Sequence, residues 1–171
     1  MDCQTIAKTV GWLGESWGFW IQTGAFLISA VAGVAVIYYN GKQGRSKALI
    51  DLIVEQKTNK DLIDATKRVY ELGKNGNHFS EYVPESKAGP DRDAILMVLN
   101  NHEFIAVGIR TKAFDEGIYK QLQCSNLLKV WSLSAGFVAE LRKISGKDTI
   151  YQDIERLAGR WKNDPIKPIK K

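Results

Sequence analysis

Asn100 and Glu103 stand three residues apart in an apolar stretch that also carries His102. A carboxylate drawn among apolar neighbours either finds a cation or takes up a proton. The cation expected here is Arg142, which lies beside Val138 and Leu141 of a later apolar stretch. Such a set has two uses: an interior polar clamp that fixes helix register, or a ligand pocket. Buried charges are commonly paired for structure, which favours a clamp made of Asn100, Glu103 and Arg142. His102 shares a helical face with apolar residues and reads as a hydrogen-bonded core group, while His78, beside Phe79, reads as exposed. The sequence holds no Gly-rich phosphate loop, no His-Glu-x-x-His and no Gly-x-Ser-x-Gly. With no second acid near Glu103 and no metal-ligand spacing, the expectation is a protein that is not an enzyme and uses no cofactor and no metal.

What must position these residues is set by a different stretch. Trp17 to Tyr39 contains no Asp, Glu, Lys or Arg. As a helix it would measure roughly 35 Å, against ~30 Å for the hydrocarbon core of a bilayer. Trp12, Trp17 and Trp20 flank one end and Tyr38 and Tyr39 the other, as amphipathic rings do at headgroup depth. A buried helix of a soluble protein would be shorter and carry a polar stripe, whereas Gln22 is the one strongly polar side chain here. Residues 17–41 are therefore read as a transmembrane helix. The small residues Ala30-Val31-Ala32 would suit signal-peptide cleavage, but the apolar run continues past them without the usual polar region.

Lys42, Arg45 and Lys47 follow the span before the first acid, Asp51, whereas the segment before it has one lysine against two acids. Basic flanks stay in the cytoplasm. The expected topology is single-pass in the bacterial inner membrane, with the N-terminus outside and the C-terminal domain cytosolic. Lys42, Arg45 and Lys47 also suit contact with anionic lipid. The chain carries 24 Lys and Arg against 19 Asp and Glu; residues 1–41 hold one and two of these, so residues 42–171 carry 23 against 17, or +6. That bias is too diffuse to point to nucleic acid. The two cysteines, Cys3 and Cys124, fall on opposite sides of the span and cannot form a disulfide within the chain, so a reducing compartment is the economical choice for the larger part.

Ahead of the span, residues 1–16 read either as a short interfacial helix or as the span's own first turns. Within it, Ala25, Ser29 and Gly33 recur every fourth residue, a line of small side chains along which two helices can pack in lipid. Residues 42–163 show the 3.6-residue periodicity of a helical domain of about five helices, with no sustained alternation to indicate strands. Leu49, Leu52 and Ile53 stripe a helix that can continue the span. Asn59 is placed to cap a second that ends at Gly73, and Asp91 to Thr111 forms a third. Lys74 to Pro90 reads as a loop, and long loops are more often mobile than functional. A long helix follows Phe114-Asp115-Glu116, with a kink expected near Ser134-Ala135-Gly136 and a stop at Ser145-Gly146. The last helix is striped by Ile150, Ile154, Leu157 and Trp161, and residues 164–171 form a basic tail.

The segment from Leu96 to Arg110, LMVLNNHEFIAVGIR, with Phe114-Asp115-Glu116 and then Trp131, Arg142, Tyr151, Glu155 and Trp161, resembles a family of bacterial and phage proteins known as domain of unknown function 4760. The resemblance implies a helical domain behind a membrane helix and supplies no activity. Where the family tends to carry Gly before its acidic turn, this chain has Lys112 and Ala113; where it tends to carry Pro later, this chain has Ser134 to Gly136. The resulting expectation is an all-α, membrane-anchored protein-interaction module or regulator. Its partners would be the lipid bilayer, an unknown cytosolic protein and a second copy through the membrane helix. The alternative is a phage-exclusion or defence effector that oligomerises and perturbs the membrane.

Overall fold

The computed structural model describes residues 15–166; most of the N-terminal segment 1–16 and the lysines of the basic tail lie outside them. Five α-helices make up the described chain: α1 Trp17–Thr58, α2 Lys60–Lys74, α3 Pro90–Arg110, α4 Glu116–Ser145 and α5 Gln152–Asn163. Among the described residues there is no strand, so the all-α reading holds. Compact packing divides the chain into two units, 1–43 and 44–171.

In the first unit, α1 is apolar on every side. Twelve large apolar side chains from Trp17 to Tyr39, including Ile21, Phe26, Ile28, Val31 and Ile37, are exposed. At about 1.5–3 kcal/mol each, withdrawing them from water is worth on the order of 20 kcal/mol, too much for a water-facing surface of a small protein to forgo. This helix is long and apolar enough to cross a membrane.

The second unit begins with the remainder of α1, whose Leu49 and Ile53 are buried. Asn59 interrupts the chain as expected: its side chain accepts the Leu62 N–H at 3.1 Å and starts α2. Helix α3 is the centre of this unit, packed against α2, α4 and α5. Its stripe Ile95, Leu99, His102, Ala106 and Ile109 is buried, which is the face that the periodicity marks. Asp115 caps α4 by accepting the Ile118 N–H at 3.1 Å, and Gly146, at φ 65°, ends that helix.

Two local expectations change. The segment Lys74 to Pro90 is not a simple loop: it holds two 3₁₀ turns, Phe79–Tyr82 and Glu85–Lys87, and Phe79 and Val83 are each only 3% exposed. The first of these turns packs on α4, so two apolar anchors hold the connection down. The kink expected at Ser134-Ala135-Gly136 is absent as a break, since α4 runs unbroken from Glu116 to Ser145. Packing of Ser134, Phe137 and Val138 into the core keeps the helix regular through a locally weak sequence.

The turn between α3 and α4 carries a residue other than glycine in a left-handed conformation. Lys112 sits at φ 60°, in the left-handed region that L-residues enter at a cost of about 1–2 kcal/mol. Its N–H donates to the Ile109 carbonyl at 3.1 Å, and the Gly108 carbonyl takes the N–H groups of Ala113 and Phe114. Phe114 then lays its ring on Gly108, where an added Cβ would come within 2.2 Å of it. Lys112→Gly is expected to raise stability by up to about 1 kcal/mol, the relief of strain less the extra freedom of an unfolded glycine. Thermal unfolding in detergent should show an upward shift of about 2–4 °C; no shift or a downward one would contradict the turn geometry.

Candidate functional site

Helix α5 opens with a backbone problem. Its N-cap, Tyr151, is left-handed at φ 56° and supplies no side-chain cap. The first N–H groups of a helix have no partner inside it and carry its positive dipole end. Here they find one fifty residues back: Glu103 accepts the Asp153 N–H through Oε1 at 3.2 Å and the Ile154 N–H through Oε2 at 2.7 Å. One turn earlier on α3, Asn100 Oδ1 accepts the Tyr151 hydroxyl at 2.7 Å.

Two arginines complete the grip. Arg142 of α4 donates through Nε to the Ile150 carbonyl at 2.8 Å and forms an ion pair with Glu155 at 2.8 Å. Arg110, at the end of α3, donates through Nε to Asp153 at 2.7 Å, whose carboxylate is only 4% exposed. Burial, and then the charge of Glu103, push the Tyr151 phenol up to about 12, so it remains a neutral donor.

The three residues expected to form a clamp thus all reach the segment 150–155. Their pairing differs from the expectation. Arg142 is matched by Glu155 instead of Glu103, and Glu103 is matched by backbone N–H groups. Asn100 is exposed at the rim and not turned into the bundle. A search for side-chain cations overlooks a helix terminus, because its partial charge belongs to the backbone and exists only once α5 has formed. Arg110, Tyr151, Asp153 and Glu155 were not legible as members; the acids in the first turn of α5 were the available sign.

His102 is buried, and its Nδ1 lies 2.9 Å from the Tyr119 hydroxyl. Burial lowers its pKa to about 4 and raises that of Tyr119, so both are neutral at pH 7. The Tyr119 ring packs on Trp161, with centroids 5.8 Å apart, and the indole N–H of Trp161 donates to Glu116 at 3.0 Å. His78 is exposed. No group of three or more His, Cys, Asp or Glu suited to a metal ion occurs among the described residues. On α1, Ala25, Ser29 and Gly33 are exposed, as are Lys42 and Lys47, with Arg45 half-buried.

Among the described residues, an all-helical architecture with one apolar helix able to cross a membrane, and a helical unit packed around α3, defines the class. A family model described as domain of unknown function (DUF4760) matches residues 23–161, most of the chain, and the protein belongs to that family. No curated protein and no solved structure matches it.

Removing the carboxylate that caps α5 leaves two N–H groups without their partner. Glu103→Ala is expected to cost about 1–3 kcal/mol in urea unfolding and Glu103→Gln less, since one amide oxygen can still accept. Hydrogen exchange at Asp153 and Ile154 should accelerate in the same order. Equal stability of all three proteins would remove this role.

His102 gives a pH dependence with a definite sign. Its folded pKa lies below the unfolded value of about 6.5, so its contribution is fully present above pH 6.5 and is lost as pH falls through about 4. The loss is on the order of 3 kcal/mol. Chemical unfolding across that window should lose this slope in His102→Gln.

Proposed function

We propose that this protein is a single-pass anchor in the bacterial inner membrane, with its N-terminus outside, whose cytosolic helical unit recognises another protein without catalysing a reaction. The carrying observation is an apolar stripe on α3: Met97 and Phe104, two turns apart, are 41% and 57% exposed. Phe104 is held edge-on by Phe114 with centroids 5.9 Å apart, a presentation suited to an aromatic anchor at an interface. The polar groups beneath support recognition over reaction. Glu103, Arg142 and Asp153 each have a structural partner, and His102 is kept neutral by burial. Lys42, Arg45 and Lys47 support the orientation.

Self-association is the second reading, and with it a defence effector that perturbs the membrane. It is favoured by the line Ala25, Ser29 and Gly33, where a Cβ added to Gly33 meets nothing within 4 Å.

Tagged wild type and Phe104→Glu should both be recovered in the membrane fraction and extracted in native-lipid particles with equal thermal stability. The wild type should carry a second polypeptide in stoichiometric amount, depleted about tenfold or more in Phe104→Glu, a loss of about 1.4 kcal/mol or more. Recovery of the uncleaved chain in the soluble fraction would overturn the anchor. A lone monomer would overturn recognition, and homo-oligomers with collapse of membrane potential on expression would establish the second reading in its place.

A further inference from the structure

A cleft of about 320 Å³ opens in the second unit between the last turns of α1 and helices α2, α3 and α4. That is the size of a small-molecule site. Its lining differs from the rest of the surface in three ways. No Asp or Glu contributes to it, although the unit as a whole is rich in both. Four side-chain amides do, from three different helices: Gln56, Asn101, Gln123 and Asn126. Lys57 and Lys67 stand at its edge, and Tyr70 supplies an aromatic wall.

The amides are already paired with one another. Gln56 Nε2 donates to Asn101 Oδ1 at 2.8 Å, and Asn126 Nδ2 donates to Gln123 Oε1 at 2.9 Å. A side-chain amide carries one carbonyl and one NH₂ group, so each pair holds its members in place and leaves one carbonyl and one NH₂ uncommitted. Exchanging O and N in both members of a pair preserves that count. The cleft is therefore lined by two amide pairs, one half-buried and one exposed, each keeping a donor and an acceptor for a ligand. A planar heterocycle with its own adjacent donor and acceptor, such as the edge of a nucleobase, is the matching shape.

The floor favours the same class. Val98 and Ile53 are apolar, and His102, held by Tyr119, is an uncharged imidazole there. Charge enters only at the edge, where Lys57 and Lys67 are exposed. Lys67 also meets Asp64 at 3.6 Å, an exposed contact that water screens. From this acid-free lining, with Gln56, Asn101 and Gln123 half-buried and Asn126 and the two lysines exposed, we propose that the cleft binds a nucleoside monophosphate, base on the amides and phosphate on the lysines. The inference rests on the second unit alone and stands independently of the protein partner proposed above.

Titration calorimetry on the full chain in lipid nanodiscs, with AMP, GMP, CMP and UMP in turn, tests it. At least one should bind saturably below about 1 mM, with its nucleoside and inorganic phosphate each about tenfold weaker or more. Asn126→Ala and Lys57→Ala, both at exposed positions, should each weaken that binding about tenfold or more while leaving the thermal unfolding temperature unchanged. Three results would overturn the proposal: no saturable binding of any of the four, inorganic phosphate binding as tightly as the nucleotide, or full affinity in both variants.

Discussion

Two backbone N–H groups at the start of α5 and one carboxylate on α3 fix where the last helix enters the second unit. Tyr151 is left-handed and brings no side-chain cap, and the first N–H groups of α5 are met instead by Glu103 from a helix fifty residues earlier. That contact has packing consequences. Once α5 is seated, Ile154, Leu157 and Trp161 close over α3 and α4, and Trp161 reaches Glu116 at the first turn of α4. Asn100 and Arg110 of α3 and Arg142 of α4 bond to the same entry segment, which explains why so many of the unit's strong hydrogen-bonding groups gather there.

The same arrangement places the paired charged groups apart from the cleft amides. Around the entry of α5 the titratable groups are paired: Glu103 with the helix it caps, and Asp153 and Glu155 with arginines, while His102 meets Tyr119 where burial keeps the ring neutral. Groups suited to selective hydrogen bonding lie elsewhere, in the amide-lined cleft on the α2 side of α3. One helix thus faces α5 with a capping carboxylate and the cleft with Asn101 and His102.

Backbone details show how the turn between α3 and α4 is held. Lys112 takes a left-handed position where glycine is cheaper, and the turn survives because Gly108 accepts two N–H groups and receives the Phe114 ring. Close approaches of this kind explain two glycines that local helix propensity alone would penalise: Gly108 makes room for Phe114 and Gly73 for Leu133, whose side chain a Cβ would meet at 2.7 Å.

By itself the sequence determined what local pattern can determine. The uncharged run from Trp17 to Tyr39 announced a helix able to cross a membrane. The stripe Ile95, Leu99, His102, Ala106 and Ile109 announced the buried face of α3, and Asn59, Asp115 and Gly146 marked helix ends, because periodicity and capping act within a few residues. Tertiary structure alone decided who meets whom. Glu103 answers a backbone dipole and not Arg142, Phe79 and Val83 turn an apparent loop into packed structure, and four amides from three helices come to line one cleft. Contacts between residues tens of positions apart leave no periodic trace, and the charge on a helix terminus has no residue type to reveal it.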